Sequence, residues 1–225
     1  MKRSRPAGAL TAGTSSQAAL PFMSDGTALG LPPWAAELFL ALKPAIVDGR
    51  RIYRHMTPWV RNLPGGRIPA DRLHVTLAWL GPDKDLPHRL ILTATEGLSS
   101  LAAACIDVSF DRLACFGSGA VVLRGRRSEP LHALRRMVLD RLPAAARPKH
   151  SFEPHMTVLY SPDSFPERGV EPVRWTAGEI VLVRSLTGRS RHAALAVWPL
   201  AGGPGLPAPR DEAPPPDLFD WNRSR

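Results

Sequence analysis

The chain has 225 residues, 44% of them hydrophobic, with 29 basic against 20 acidic side chains and a formal net charge of +9. That is enough for one substantial core or two lobes sharing one, and no apolar stretch approaches the roughly 18–20 residues of a membrane helix. Cys105 and Cys115 are isolated, which argues against zinc-ligand spacing, a Cys-x-x-Cys redox pair and free-thiol catalysis.

Each cysteine reads as a small buried apolar residue, not as half of a disulfide, which suits a reducing cytoplasm. The basic excess suits a polyanionic partner, although arginine-rich composition alone gives the same figure.

In chain order, residues 1–30 carry Gly, Ser, Thr and Ala without periodicity and read as a tail. Met1 to Leu20 lacks acids and an apolar run, so an N-terminal extension is the expectation, in preference to a transit peptide or secretory signal. A single domain is expected over 31–200. Ala36 to Leu42 reads as a strand, Ala45 to Trp59 as partly helical, and Leu73 to Leu80 as a strand ended by Gly81-Pro82. Leu86 to Ala104 has helical apolar spacing. Ile106 to Cys115 and Ala120 to Arg124 read as strands around a Phe116-Gly117-Ser118-Gly119 hairpin turn.

Ser128 is placed to cap a helix that carries Pro130 in its first turn and runs to about Leu142. Met156 to Tyr160, Val173 to Leu186 and His192 to Leu200 are the remaining strands. Residues 201–225 contain Gly-Gly-Pro-Gly and Pro-Pro-Pro and read as a second tail. The mixture is α+β.

One pattern occurs twice: His74-Val75-Thr76-Leu77 and His155-Met156-Thr157-Val158. Each lies in a strand-like run, where alternation puts His and Thr on one face and the apolar pair on the other. Two such strands lining one cleft present two imidazoles, suited to acid–base work near neutral pH, and two hydroxyls that donate to phosphoryl oxygens. The bland alternative is a pair of ordinary half-buried strand histidines. A single match is weak evidence; two in matching strand contexts weigh against accident.

With their flanks, Asp71 to Gly81 and Pro154 to Thr157 resemble the two signature strands of the 2H phosphoesterases. Within that superfamily the chain most resembles the RNA 2′,3′-cyclic phosphodiesterase, or 2′–5′ RNA ligase, family. Leu38 to Pro44, Val173 to Ser185 and His192 to Leu200 agree with it in order and spacing. Many members carry arginine where this chain has Tyr160.

The resemblance implies two pseudo-symmetric lobes of antiparallel sheet, with outer helices, flanking a central cleft. It implies metal-independent, cofactor-free opening of RNA 2′,3′-cyclic phosphate ends to 2′-phosphomonoesters, or the reverse ligation. His74 would be general acid on the leaving 3′ oxygen and His155 general base on water, with Thr76 and Thr157 holding the non-bridging oxygens. The expected partner is RNA with a cyclic phosphate end or a small cyclic nucleotide, with no membrane and no obligate protein partner, in the cytoplasm. A non-catalytic RNA-binding module and a small-nucleotide phosphodiesterase stand as alternatives.

Among the other histidines, His132 is expected on a solvent-facing helix position, His150 in a loop, and His55 and His88 without a partner pattern. His192 opens the last strand, from which the cleft is within reach, but the expectation is that it has no functional role. Alternation places Trp79 on the core face with Val75 and Leu77, and Leu159 instead of Tyr160 beside His155 and Thr157.

Overall fold

The structure, a computed structural model, describes residues 36–86, 88–149, 151–186 and 191–201. The tail expected over 1–30 lies outside the described residues, as do His150 and all but the first residue of the tail expected over 201–225. Ala201 is described, and its amide donates to the Ala103 carbonyl at 2.7 Å.

Among the described residues, nine strands and three helices make two antiparallel sheets with helices behind them, as the α+β expectation required. The strands are β1 (Ala36–Leu42), β2 (Gly66–Arg67), β3 (Val75–Pro82), β4 (Ile106–Cys115), β5 (Ala120–Arg124), β6 (His155–Tyr160), β7 (Arg168–Ala177), β8 (Glu179–Leu186) and β9 (Arg191–Pro199). The helices are α1 (Ile46–Val60), α2 (His88–Ser99) and α3 (Glu129–Arg141). One sheet has the order β3-β1-β8-β9 and the other β2-β6-β5-β4-β7.

A continuous core lies behind both sheets. Leu38, Leu40 and Leu42 of β1 join Ile52, Met56 and Val60 of α1, Leu98 of α2, Leu131, Leu134 and Val138 of α3, and Met156 of β6. The four-residue spacing of Ile52, Met56 and Val60 gives α1 its apolar stripe. Gly49 lets that helix approach the turn before β3, since a Cβ there would sit 2.6 Å from the Ala70 carbonyl oxygen. β1 is buried along its whole length, as a strand central to its sheet and covered on both faces must be.

Three expectations need correction. The run from Val173 to Leu186 is two strands: Ala177 pairs with Ile106 in one sheet, while Ile180 pairs with Leu42 in the other, so the chain changes sheets at Gly178. β8 and β9 thereby return to complete the sheet begun by β1 and β3, so that sheet takes its strands from both ends of the described chain. His132 is half-buried, its Nδ1 2.8 Å from the Ser128 carbonyl and its ring 5.2 Å from that of Phe152. Cys105 and Cys115 are free, as expected, but half-buried.

Candidate active site

β3 forms the edge of its sheet and touches β6 of the other, so the two strands carrying the repeated motif lie beside one another at the seam between sheets. The register shows which side chains face the site. Thr76 lies opposite Ala41 and Trp79 opposite Phe39, while Ala78 lies opposite Leu40. Leu77 is therefore an extra residue bulged out of the ladder, and it reverses the alternation after it. In β6, Thr157 lies opposite Val122 and Tyr160 opposite Ala120, with Val158 as the extra residue.

The two bulges overturn two expectations. Trp79 leaves the core face and joins Phe39, Ala41, Val181 and Val183 on the site face. Tyr160 packs with Ala114, Ala120, Val122 and Phe116 on the corresponding face of the other sheet. Each ring follows its motif histidine by the same interval, so the repeat is longer than four residues. Simple period-two counting carries no signal for a bulge; the matched aromatics were the clue available.

Both bulged residues have their carbonyls satisfied from outside. Arg135 Nε of α3 donates to the Leu77 carbonyl at 3.0 Å, and the Ile68 amide donates to that of Val158 at 3.0 Å. Gly65 borders the second bulge with φ +120°, and a Cβ there would collide with the Tyr160 carbonyl.

The two imidazoles are oriented alike. His74 Nδ1–H donates to the Arg72 carbonyl at 2.7 Å, and His155 Nδ1–H donates to the Glu153 carbonyl at 2.7 Å. A carbonyl oxygen only accepts, so each neutral ring carries its proton on Nδ1 and leaves Nε2 with a lone pair. An aromatic ring packs on each: Phe39 stacks on His74 at 4.8 Å, and Phe116 meets His155 edge-on at 4.9 Å.

Burial lowers the pKa of both histidines to about 4. The charge of His155 further disfavours a proton on His74, and Lys43 and Arg72 act in the same sense. For His155 the second cause is Arg124, itself paired with Glu153 and Glu167. Both rings are thus neutral at pH 7 in the empty site. Thr76 and Thr157 are half-buried on the same faces. The Tyr160 phenol hydrogen-bonds the Thr157 hydroxyl, and burial raises its pKa to about 12.

Two groups were not singled out as site residues by sequence. His192 enters the site face from β9, with its ring 5.3 Å from that of His74. Arg72 lies close enough to His74, His192 and Tyr160 for its charge to act on all three. Its only sequence signal is its place just before Leu73-His74. Among the described residues, no group of three or more His, Cys, Asp or Glu side chains is arranged to hold a metal ion.

The family model for the 2′–5′ RNA ligase superfamily matches residues 49–189. The chain belongs to that superfamily. Its activity class is therefore that of a 2H phosphoesterase, phosphodiester hydrolysis or ligation. Escherichia coli LigT in its apo form superposes with a TM-score of 0.61 at 22% identity, covering 75% of this chain and 99% of LigT. TT0787 of Thermus thermophilus superposes with a TM-score of 0.55 at 21% identity, covering 73% and 97% of the two chains. A further phosphoesterase gives 0.63 at 20% identity, covering 75% and 99%. These likenesses establish the two-lobed fold of this superfamily member. No curated protein matches the chain. Among the described residues, no helix is long and apolar enough to cross a membrane.

Proposed function

We propose that this superfamily member hydrolyses 2′,3′-cyclic phosphate ends of RNA to 2′-phosphomonoesters without a metal, in the cytoplasm. The observation that carries the reading is the pair of imidazoles, each braced through Nδ1 by the carbonyl two residues upstream and each on its own His-x-Thr strand. A braced Nδ1 leaves Nε2 as the proton-transfer atom.

In the forward step, a water oxygen attacks phosphorus as His155 Nε2 takes its proton. The bond from phosphorus to O3′ breaks, and O3′ takes a proton from His74 Nε2–H. The products are a 2′-phosphate and a 3′-hydroxyl, and the same attack with a 5′-hydroxyl in place of water, again breaking the bond to O3′, is 2′–5′ ligation. Thr76 and Thr157 donate to the non-bridging oxygens as charge builds on them.

His74 must be protonated to act as the acid, although burial holds it neutral in the empty site. A bound phosphodiester monoanion supplies the missing counter-charge and raises that pKa. Proton uptake on substrate binding thereby arms the acid.

RNA as the substrate is supported by the net charge of +9 and by exposed Arg50, Arg54 and Arg61 on or just after α1. The small-nucleotide alternative draws support from LigT structures complexed with 3′-AMP and with ATP. The test is incubation in EDTA with a 2′,3′-cyclic mononucleotide and with a cyclic-ended oligonucleotide, identifying the monoester formed. Preference for the oligonucleotide with release of a 2′-phosphate supports the proposal. A 3′-phosphate product, or turnover that needs an added divalent ion, rejects it.

A further inference from the structure

The site contains two buried hydrogen-bonding groups that the two-histidine, two-threonine chemistry does not use. Both ring nitrogens of His192 are buried and have no hydrogen-bond partner among the described residues. Arg72 Nε is likewise buried without a partner there, although the backbone carbonyl of the same residue braces His74. Buried polar groups are almost always paired, so two orphans in one place call for an explanation.

Their placement supplies one. Register puts Ser185 opposite both His192 and Glu37, in the same face of the sheet as Phe39, Val183 and Val181. His192 meets Phe39 edge-on at 5.6 Å and His74 at 5.3 Å, so the three rings form one cluster at the first motif histidine. Arg72 joins that cluster from the turn preceding β3, and its field also reaches Tyr160 on the opposite sheet. A neutral imidazole has one N–H to donate, and a guanidinium has only donors. Two buried groups with unpaired donors near His74, one of them cationic, suit a ligand rich in acceptors and negative charge. A phosphoryl group has that chemistry.

We propose that His192 and Arg72 are substrate-binding residues whose N–H groups donate to non-bridging oxygens of the phosphoryl group held between His74 and His155. This rests on the cyclic-phosphodiesterase reading for its substrate, but not for its anion. In the complex the orphaned groups gain partners. His192 acts as a neutral donor, because burial, followed by the charge of His74, lowers its pKa to about 2. Neutrality matters here, since a further cation against His74, beside Arg72 and Lys43, would oppose the proton that the general acid needs.

Inorganic phosphate is the probe that separates this inference from the functional reading. His192→Phe keeps a ring against Phe39 and His74 but removes both nitrogens; Arg72→Met removes the guanidinium and leaves the carbonyl brace. Isothermal titration should show Kd for phosphate rising about tenfold or more in each variant. KM for a 2′,3′-cyclic nucleotide should rise similarly, with kcat changed less. His192→Asn or His192→Gln, which return an N–H near one or other ring nitrogen, should recover part of the loss. In ¹⁵N-labelled wild type, phosphate should shift the His192 ring nitrogens and protect the Arg72 Nε–H from exchange.

Folded His192→Phe and Arg72→Met proteins that bind phosphate as wild type does would overturn the proposal, as would absence of any phosphate-induced change at His192. If phosphate binds through these groups but no cyclic phosphate is opened, the functional reading fails and this one stands. If cyclic phosphates are opened with KM unchanged in both variants, the reverse holds.

Discussion

Arg135 Nε donates to the carbonyl of Leu77 at 3.0 Å, tying α3 to a residue that β3 bulges out of its ladder just after the first motif threonine. The guanidinium also lies over the Phe152 ring, 4.8 Å from its centroid. The bulge turns Trp79 onto the site face, where its Nε1–H donates to Glu37 at 2.8 Å. Removing the arginine leaves a carbonyl without its donor in a crowded place. Arg135→Leu should lower unfolding free energy by about 1.5–3 kcal/mol, the range for a hydrogen bond involving a charged group. Urea titration measures it, and a change under about 0.5 kcal/mol would show the bulge to be held by the ladder alone.

The acid and base roles separate on leaving-group chemistry. An aryl phosphodiester expels a stable phenolate and needs little protonation, whereas a ribose oxygen needs a proton. His74→Ala should lose about 10²- to 10⁴-fold in kcat on a cyclic nucleotide but far less on an aryl ester. His155→Ala should lose about as much on both. Equal losses for His74→Ala on the two substrates would remove it as the general acid.

Proton uptake should accompany anion binding. Both histidines have pKa values near 4 in the empty site, and a bound phosphoryl group raises at least that of the acid. Between the free and bound pKa values each binding event takes up about one proton, so affinity for phosphate weakens as pH rises through the bound value. Calorimetry in buffers of different ionisation enthalpy reads the proton count directly. A count of zero near pH 6 would contradict the arming of His74 by substrate.

The same shifts fix how stability depends on pH. The folded-state values of His74 and His155 lie below the ordinary 6.5. Their neutral rings therefore contribute stability that is fully present above about 6.5 and is lost as pH falls toward the folded value near 4. Each ring accounts for a loss of the order of 3 kcal/mol across that window. His155→Phe should flatten the acid side of the stability curve; an unchanged slope would mean the ring is solvated in the folded state.

Tyr160 tests the second bulge. Its hydroxyl bonds that of Thr157, and its ring packs against Ala120 and Val122. Tyr160→Phe should cost only about 0.5–1.5 kcal/mol, and Tyr160→Ala, which opens a cavity, about 3 kcal/mol or more. Comparable costs for the two would place the ring outside the packed face.

The repeated His-x-Thr-x pattern was legible because alternation is local: within one strand, the residue two positions on shares a face. β1, the Phe116 to Gly119 hairpin and the strand–helix order were legible for the same reason. Apolar periodicity and turn chemistry reveal themselves within a few residues. The faces of Trp79 and Tyr160 were not legible, because each depends on one residue leaving register with a neighbouring strand. The division of the Val173 to Leu186 run at Gly178 was hidden likewise, since its two parts find different partners.

The sequence by itself determined which side chains carry the proposed acid–base and hydroxyl chemistry. Tertiary structure decided what surrounds them: Phe39 and His192 against His74, Phe116 against His155, and the charge of Arg72 beside His74 and His192. Those contacts join residues distant along the chain, and only the closure of two sheets around a common core brings them together.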